Sequence, residues 1–149
     1  MKESFLAAKL ACSLIGGIIG FMFGELDGLI TALIVFVTID YVTGFICAWA
    51  EKKLSSEVGA KGIAKKVFIF FLVAVANVID TQILKEGSTL RTAVIFYYLA
   101  NEGLSIVENA ARLGLPVPPK LKDALEQLSD NGDEEVEETT GGDKDEPEG

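Results

Sequence analysis

The chain has no histidine and only two cysteines among its 149 residues. Without histidine it lacks the commonest metal ligand and the usual general base near neutral pH. Cys12 and Cys47 both fall inside apolar runs, so they read as small packed residues and not as a disulfide framework. No nucleophile–base pair and no metal-ligand cluster takes their place. Gly59 and Gly62 have neither the spacing nor the Ser/Thr after lysine that a phosphate loop needs. The expectation is therefore a non-enzyme with no cofactor, no metal and no nucleic-acid partner. A cleavable leader is not expected either. Lys9 stands three residues before Cys12, the main apolar stretch follows that cysteine, and no small-x-small site closes an apolar core.

What the chain has in quantity is apolar sequence. Half of it is hydrophobic, and mean hydropathy is +0.38 despite a net charge of −9. The conflict resolves by position. Residues 1–113 carry ten Lys/Arg and ten Asp/Glu, whereas residues 114–149 carry three Lys and twelve Asp/Glu, which is the whole net charge. The low pI describes a tail.

A membrane crossing takes about 20 mostly apolar residues. On that measure the chain reads as an all-α integral membrane protein. Its transmembrane domain occupies residues 1–114, with four spans near 6–24, 28–50, 64–84 and 92–113. The fourth carries Glu102, Glu108 and Arg112 and has an alternative as an interfacial helix, which leaves three spans. Residues 115–129 read as a proline hinge, with Pro116, Pro118 and Pro119 ending the helix, followed by a short amphipathic helix over 120–129 bearing Leu121, Leu125 and Leu128 on one side. Residues 130–149 are acidic and almost free of apolar side chains, the composition of a disordered tail.

Loop charges orient the spans. The Glu25–Asp27 link lacks Lys and Arg, while Glu51–Lys66 holds five Lys against two Glu. The positive-inside rule places that loop and both termini in the cytoplasm, with Trp49 at the inner interface. Lys85 and Arg91, on the opposite side, count against this. Lys52, Lys53, Lys61, Lys65 and Lys66 are expected to meet anionic lipid headgroups, at about 1 kcal/mol per well-placed lysine.

Two aspartates stand out: Asp40 in Gly28–Ala50 and Asp80 in Val67–Leu84 are each the sole charge of an apolar run. A carboxylate in hydrocarbon is costly unless protonated, paired or wetted, which makes it a functional candidate. At about 1.5 Å per residue, Asp40 is roughly 15 Å from the end of its run and Asp80 roughly 20 Å from the start of its own. Glu102 is roughly 15 Å into the fourth span. The expectation is three acids at comparable depth with no Lys or Arg beside them. Asn77 shares the face of Asp80, and Tyr98, Asn101, Glu102, Ser105, Glu108, Asn109 and Arg112 form one polar stripe. Such a set serves either interhelical hydrogen bonding in a closed bundle or the wall of an oligomeric pore. On the first span, Ala8, Cys12, Gly16, Gly20 and Gly24 recur every fourth residue and cut a smooth groove. Gly16, Gly20, Gly24 and, on the second span, Gly44 are expected at close helix contacts, within the chain or between copies.

Several blocks resemble the phage-lysis and toxin-secretion holin family: Asp40-Tyr41-Val42-Thr43-Gly44, Lys52-Lys53-Leu54-Ser55-Ser56, Gly62-Ile63-Ala64-Lys65-Lys66, Phe96-Tyr97-Tyr98, Asn101 through Asn109, and Gly114-Leu115-Pro116-Val117-Pro118. The resemblance covers roughly residues 28–128; the acidic tail departs from the basic C-termini common among holins. It implies a phage or prophage protein of the bacterial inner membrane that homo-oligomerises and opens lesions for an endolysin or toxin. A lysis inhibitor on the same fold and a small proton-coupled exporter are the competing readings.

Overall fold

A computed structural model of the chain describes residues 2–85 and 87–128. The expected tail of 130–149 and the last residue of the amphipathic helix lie outside them. Four long helices run through the described part: α1 (Lys2–Phe23), α2 (Gly28–Ala50), α3 (Ser56–Val78) and α4 (Thr89–Arg112). A π-helical segment, Ile79–Leu84, prolongs α3, and a short helix over 119–128 (α5) follows the proline hinge. No strand occurs among the described residues.

Local chemistry sets the helix ends. The Asp27 carboxylate accepts from the Ile30 amide at 3.0 Å and starts α2; the Ser55 hydroxyl accepts from the Val58 amide at 3.2 Å and starts α3. Gly24, at φ +72°, ends α1 in the left-handed region. The turn before Ser55 is short, so α3 begins at Ser56, eight residues before the expected 64–84 span. Lysine is a good helix former, and Lys61, Lys65 and Lys66 therefore ride on a helix instead of a loop.

Three helices are long and apolar enough to cross a membrane: Ser4–Phe23, Gly28–Ala50 and Ser56–Leu84. The helix α4 is not among them, yet it is the centre of the bundle. It packs most extensively on α2 and next on α3, and buries Arg91, Ala93, Ile95, Leu99, Ala100, Glu102, Gly103 and Asn109. Its polar stripe lowers its hydropathy; of that stripe, Glu102 and Asn109 are buried against protein, whereas Glu108 and Arg112 are exposed. Arg91 meets Asp27 at one end and Arg112 meets Glu51 at the other, so α2 and α4 run parallel, with α3 antiparallel to both and packed on α4. Ile30, Leu33, Val37, Ile69, Val73, Ile95 and Leu99 form the apolar core.

The small-residue groove of α1 has no partner among the described residues. Residues 4–21 are exposed all round, and a Cβ at Gly16 or Gly20 would meet no atom within 4 Å. Only the last turn of α1 is held, by the Phe23–Phe70 edge contact and by Asn77 donating to the Phe21 carbonyl at 3.2 Å. Gly24 differs: a Cβ there would come within 2.8 Å of Asn77 Oδ1, on a backbone that disfavours side chains. Gly24→Ala is expected to cost about 1–2 kcal/mol in detergent unfolding, whereas Gly16→Ala and Gly20→Ala should leave the monomer's stability unchanged.

Candidate functional site: a buried polar ladder

The acid of α2 and the acid of α4 meet on one lysine. Lys66 Nζ lies 2.6 Å from Asp40 Oδ2 and also pairs with Glu102. All three side chains are largely buried. Each is ten residues from the same end of the bundle (Ala50, Ser56 and Arg112), or roughly 15 Å along its helix. Lys66 thus corrects two expectations. It is turned inward and not to headgroups, and it supplies the cation thought to be missing at that depth. A signal for it existed: Asp40 and Lys66 stand thirteen residues either side of Lys53, the middle of the Glu51–Ser55 turn, and an antiparallel helical hairpin brings such positions level. Hydropathy hid it by assigning Lys66 to a loop.

From this knot the polar contacts continue toward the basic end. Asn109 Nδ2 donates to Asp40 Oδ1 and to Thr43 Oγ1, both at 3.1 Å. Its Oδ1 accepts from Arg112 Nη1 at 3.3 Å, and Arg112 donates twice to Glu51 Oε1, at 3.0 and 2.8 Å. The Cys47 thiol donates to the Asn109 carbonyl at 3.2 Å. A ladder therefore runs from Glu102 through Lys66, Asp40, Asn109 and Arg112 to Glu51. Hydrogen bonds from Lys53 and Arg112 hold the Glu51 carboxyl below its ordinary range. No buried side-chain nitrogen or oxygen among the described residues lacks a partner, as an interior of low dielectric demands. Two clefts flank the knot: one of about 180 Å³ between α2 and α3 reaches Asp40 and Lys66, and one of about 570 Å³ reaches Lys66 and Glu102.

Asp80 belongs elsewhere. It is fully buried at the opposite end of the bundle, 24 residues from Ser56, or roughly 36 Å. Its carboxylate oxygens accept from the backbone amides of Leu90 at 3.2 Å and Arg91 at 2.7 Å, in the first turn of α4. The positive end of the α4 dipole meets its charge. The expected shared depth with Asp40 fails because α3 starts at Ser56, well before the edge of the apolar run. Arg91, absent from the expected site, completes this end. It is buried and donates to the Phe23 carbonyl (2.8 Å), the Glu25 carbonyl (3.0 Å) and Asp27 Oδ2 (2.8 Å). Asn77 sits beside this clasp, not in the ladder.

The remaining expected residues are not brought together. Asn101 and Ser105 are half-buried and Glu108 is exposed, and none makes a side-chain hydrogen bond to a described residue. Gly44 lies in ordinary contact with Asn109, 3.7 Å from a Cβ placed on it. Lys52, Lys53, Lys61 and Lys65 are exposed.

The Arg91 hydrogen bond, ahead of the Ile30 amide, holds the Asp27 carboxyl below its ordinary 3.8. A depressed carboxylate contributes stability that is present above its unfolded pKa and is lost as pH falls through the folded value. The clasp is therefore expected to survive mild acid and to weaken only below about pH 3.8; Asp27→Asn should abolish that acid-dependent step in detergent unfolding.

Comparison with known proteins gives this buried ladder a context. Residues 17–130 match the model of the bacteriophage holin family. The chain belongs to that family. A probable holin of Bacillus phage phi105 is 38% identical over 117 residues, covering 78% of this chain and 85% of the phage protein. An uncharacterized Listeria monocytogenes protein is 48% identical over 110 residues (74% and 78% of the two chains), and an uncharacterized 14.9 kDa Clostridium perfringens protein is 41% identical over 116 residues (77% and 87%). No solved structure matches significantly. Membership of the holin family and three helices long and apolar enough to cross a membrane mark it as a membrane protein.

Proposed function

We propose that this holin-family protein accumulates in the bacterial inner membrane, self-associates and opens lesions through which an endolysin or a toxin leaves the cytoplasm. The observation that carries the reading is the Glu102–Lys66–Asp40 knot, a set of ionisable groups buried inside a bundle of apolar helices. Two carboxylates share one ammonium, so a single proton or the loss of one carboxylate brings the knot to neutrality. Intact, it latches α2, α3 and α4 in a closed state; opened, its polar groups line a wetted wall, reached by the clefts on either side.

Other features support the same reading. The apolar helix α1 carries a small-residue groove free for a second copy. In this proposal α4 is the fourth span, shielded from lipid by α2 and α3. Both termini are cytoplasmic, and the exposed Lys52, Lys53, Lys61 and Lys65 meet anionic headgroups. Arg91 no longer counts against that orientation, because Asp27 and two carbonyls consume its charge.

Induced expression in a bacterium with a co-expressed endolysin, following membrane potential and enzyme release together, tests the proposal. Collapse of the potential with enzyme release supports it. Delayed lysis in the presence of another holin identifies an inhibitor, and neither effect leaves the exporter. A reporter fused after Gly149 that reads out as external contradicts four spans.

A further inference from the structure

The seam between α3 and α4 changes character along its length. On α3 and its π-helical extension, Lys61, Lys65, Phe68, Leu72, Val75 and Ile79 recur every three or four residues and so form one strip. On α4, Glu102, Tyr98, Val94 and Leu90 recur every fourth residue and meet that strip across two adjoining clefts. The first cleft, of about 570 Å³, carries Lys61, Lys65 and Lys66 beside Phe68 and Ile69. The second, of about 420 Å³, is walled almost wholly by apolar side chains, Val75, Ile79, Leu90 and Val94 among them. Leu72 and Tyr98 line both, which makes one groove with a basic head and an apolar body.

The head is short of anions. Lys66 is engaged by Asp40 and Glu102, but neither Lys61 nor Lys65 has a carboxylate within ion-pair distance among the described residues, and both are exposed. Other basic positions differ. Lys53 pairs with Glu51 and Lys122 with Glu126, and the smaller cleft between α2 and α3 is lined by no lysine besides Lys66. Length sets the level of the groove. The run Ser56–Leu84 has 29 residues, or about 43 Å, which exceeds a hydrocarbon core of about 30 Å by about 13 Å. The excess belongs to the Ser56 end, because residues 56–66 hold Glu57 and three lysines, whereas residues 67–84 hold one charge, the buried Asp80. Lys61 and Lys65 then stand at the edge of the hydrocarbon. From Phe68 to Ile79 is eleven residues, roughly 16 Å, close to the depth of one leaflet at about 15 Å.

We infer that this groove is a specific site for an anionic phospholipid, with the phosphate on Lys61 and Lys65 and an acyl chain laid along Leu72, Val75 and Ile79. A free phosphate has no use for the apolar body, and an apolar helix of a second copy has no use for the lysines. A lipid with one negative charge uses both. Basic pockets between membrane helices recognise headgroups on the same principle. The site goes beyond scattered contacts of surface lysines with headgroups, since it fixes one lipid in one place. It requires only a chain embedded in a membrane, and stands whether or not the protein opens lesions.

The test titrates the full chain in detergent micelles with phosphatidylglycerol, with phosphatidylcholine of the same acyl chains and with inorganic phosphate. Native mass spectrometry follows the lipid retained, and thermal unfolding follows the midpoint. The expected result is one phosphatidylglycerol held per chain and a midpoint that rises to saturation, as binding to the folded state requires. Phosphatidylcholine and phosphate should do neither. Lys61→Gln with Lys65→Gln should weaken retention roughly thirtyfold. Lys120→Gln with Lys122→Gln, which removes the same charge from α5, should leave it unchanged. Val75→Trp, which fills the apolar body, should lower retention with both lysines in place. Equal retention of phosphatidylcholine, or no retention of phosphatidylglycerol, overturns the inference. So does phosphate alone raising the midpoint as far as the lipid does, or the α5 pair costing as much as the α3 pair. If Val75→Trp alters the number of copies per assembly and not the lipid held, the groove belongs to a second copy and the inference falls.

Discussion

Lys66→Met is expected to bring lysis forward, and to do so more strongly than any other single change in the ladder. The substitution keeps the length and apolar stem of the side chain but leaves the Asp40 and Glu102 carboxylates facing each other without a cation. Breaking a buried ion pair by removing one partner costs about 3–5 kcal/mol, because the remaining charge is uncompensated. Here that cost falls on the contact that joins α3 to α2 and α4. Glu102→Gln should act in the opposite direction. It leaves a neutral Lys66–Asp40 pair and removes the surplus carboxylate, so the closed bundle is strengthened and onset delayed. Asp40→Asn should do likewise, since an amide oxygen still accepts from Asn109. The triple change Lys66→Met, Asp40→Asn, Glu102→Gln carries no charge and should return close to the parental time, because replacing a whole buried ionic group is often nearly neutral. Timing lysis of the four variants, alongside their accumulation in membranes, checks the set. If the lysine and carboxylate variants shift onset in the same direction, the latch is wrong.

The second large effect lies at the opposite end. Arg91→Met removes donors to two backbone carbonyls and to Asp27, and leaves those acceptors facing apolar surroundings. A loss of about 3–5 kcal/mol in detergent unfolding is expected, with reduced accumulation in the membrane. Arg91→Lys should recover little of it, because one ammonium does not reproduce the planar fork that reaches three acceptors. Asp80→Asn should be milder, at about 1.5–3 kcal/mol for weakened hydrogen bonds to a charged group: one amide oxygen replaces two carboxylate oxygens at the α4 amino terminus. These variants separate structure from gating. The clasp variants should lower stability and abundance without a particular onset once abundance is matched, whereas the knot variants should shift onset at matched abundance.

Composition and hydropathy were sufficient for the helical membrane character, because a crossing needs a run of apolar residues that is visible without any contact map. Sole charges within such runs marked Asp40 and Asp80 for the same reason, and the stripe on α4 was legible because helical periodicity alone assigns a face. Tertiary structure alone decided what those charges meet. Whether Lys66 is a headgroup lysine or the partner of two acids depends on where α3 begins. That start is set by the Ser55 cap, a single hydrogen bond that a hydropathy average does not register. Asp80 moved from the ladder to the clasp through the same shift. Arg91 read as a loop charge because its acceptors are backbone carbonyls 66 and 68 residues away, and such carbonyls look alike in every sequence. Gly103 carried no signal either, since the room it leaves is taken by Leu125, which arrives from the far side of the Gly114 turn. The periodic, local features of this protein follow from one-dimensional pattern. The pairing of its buried charges follows from helix register and the approach of distant segments, which exist only once the chain has packed.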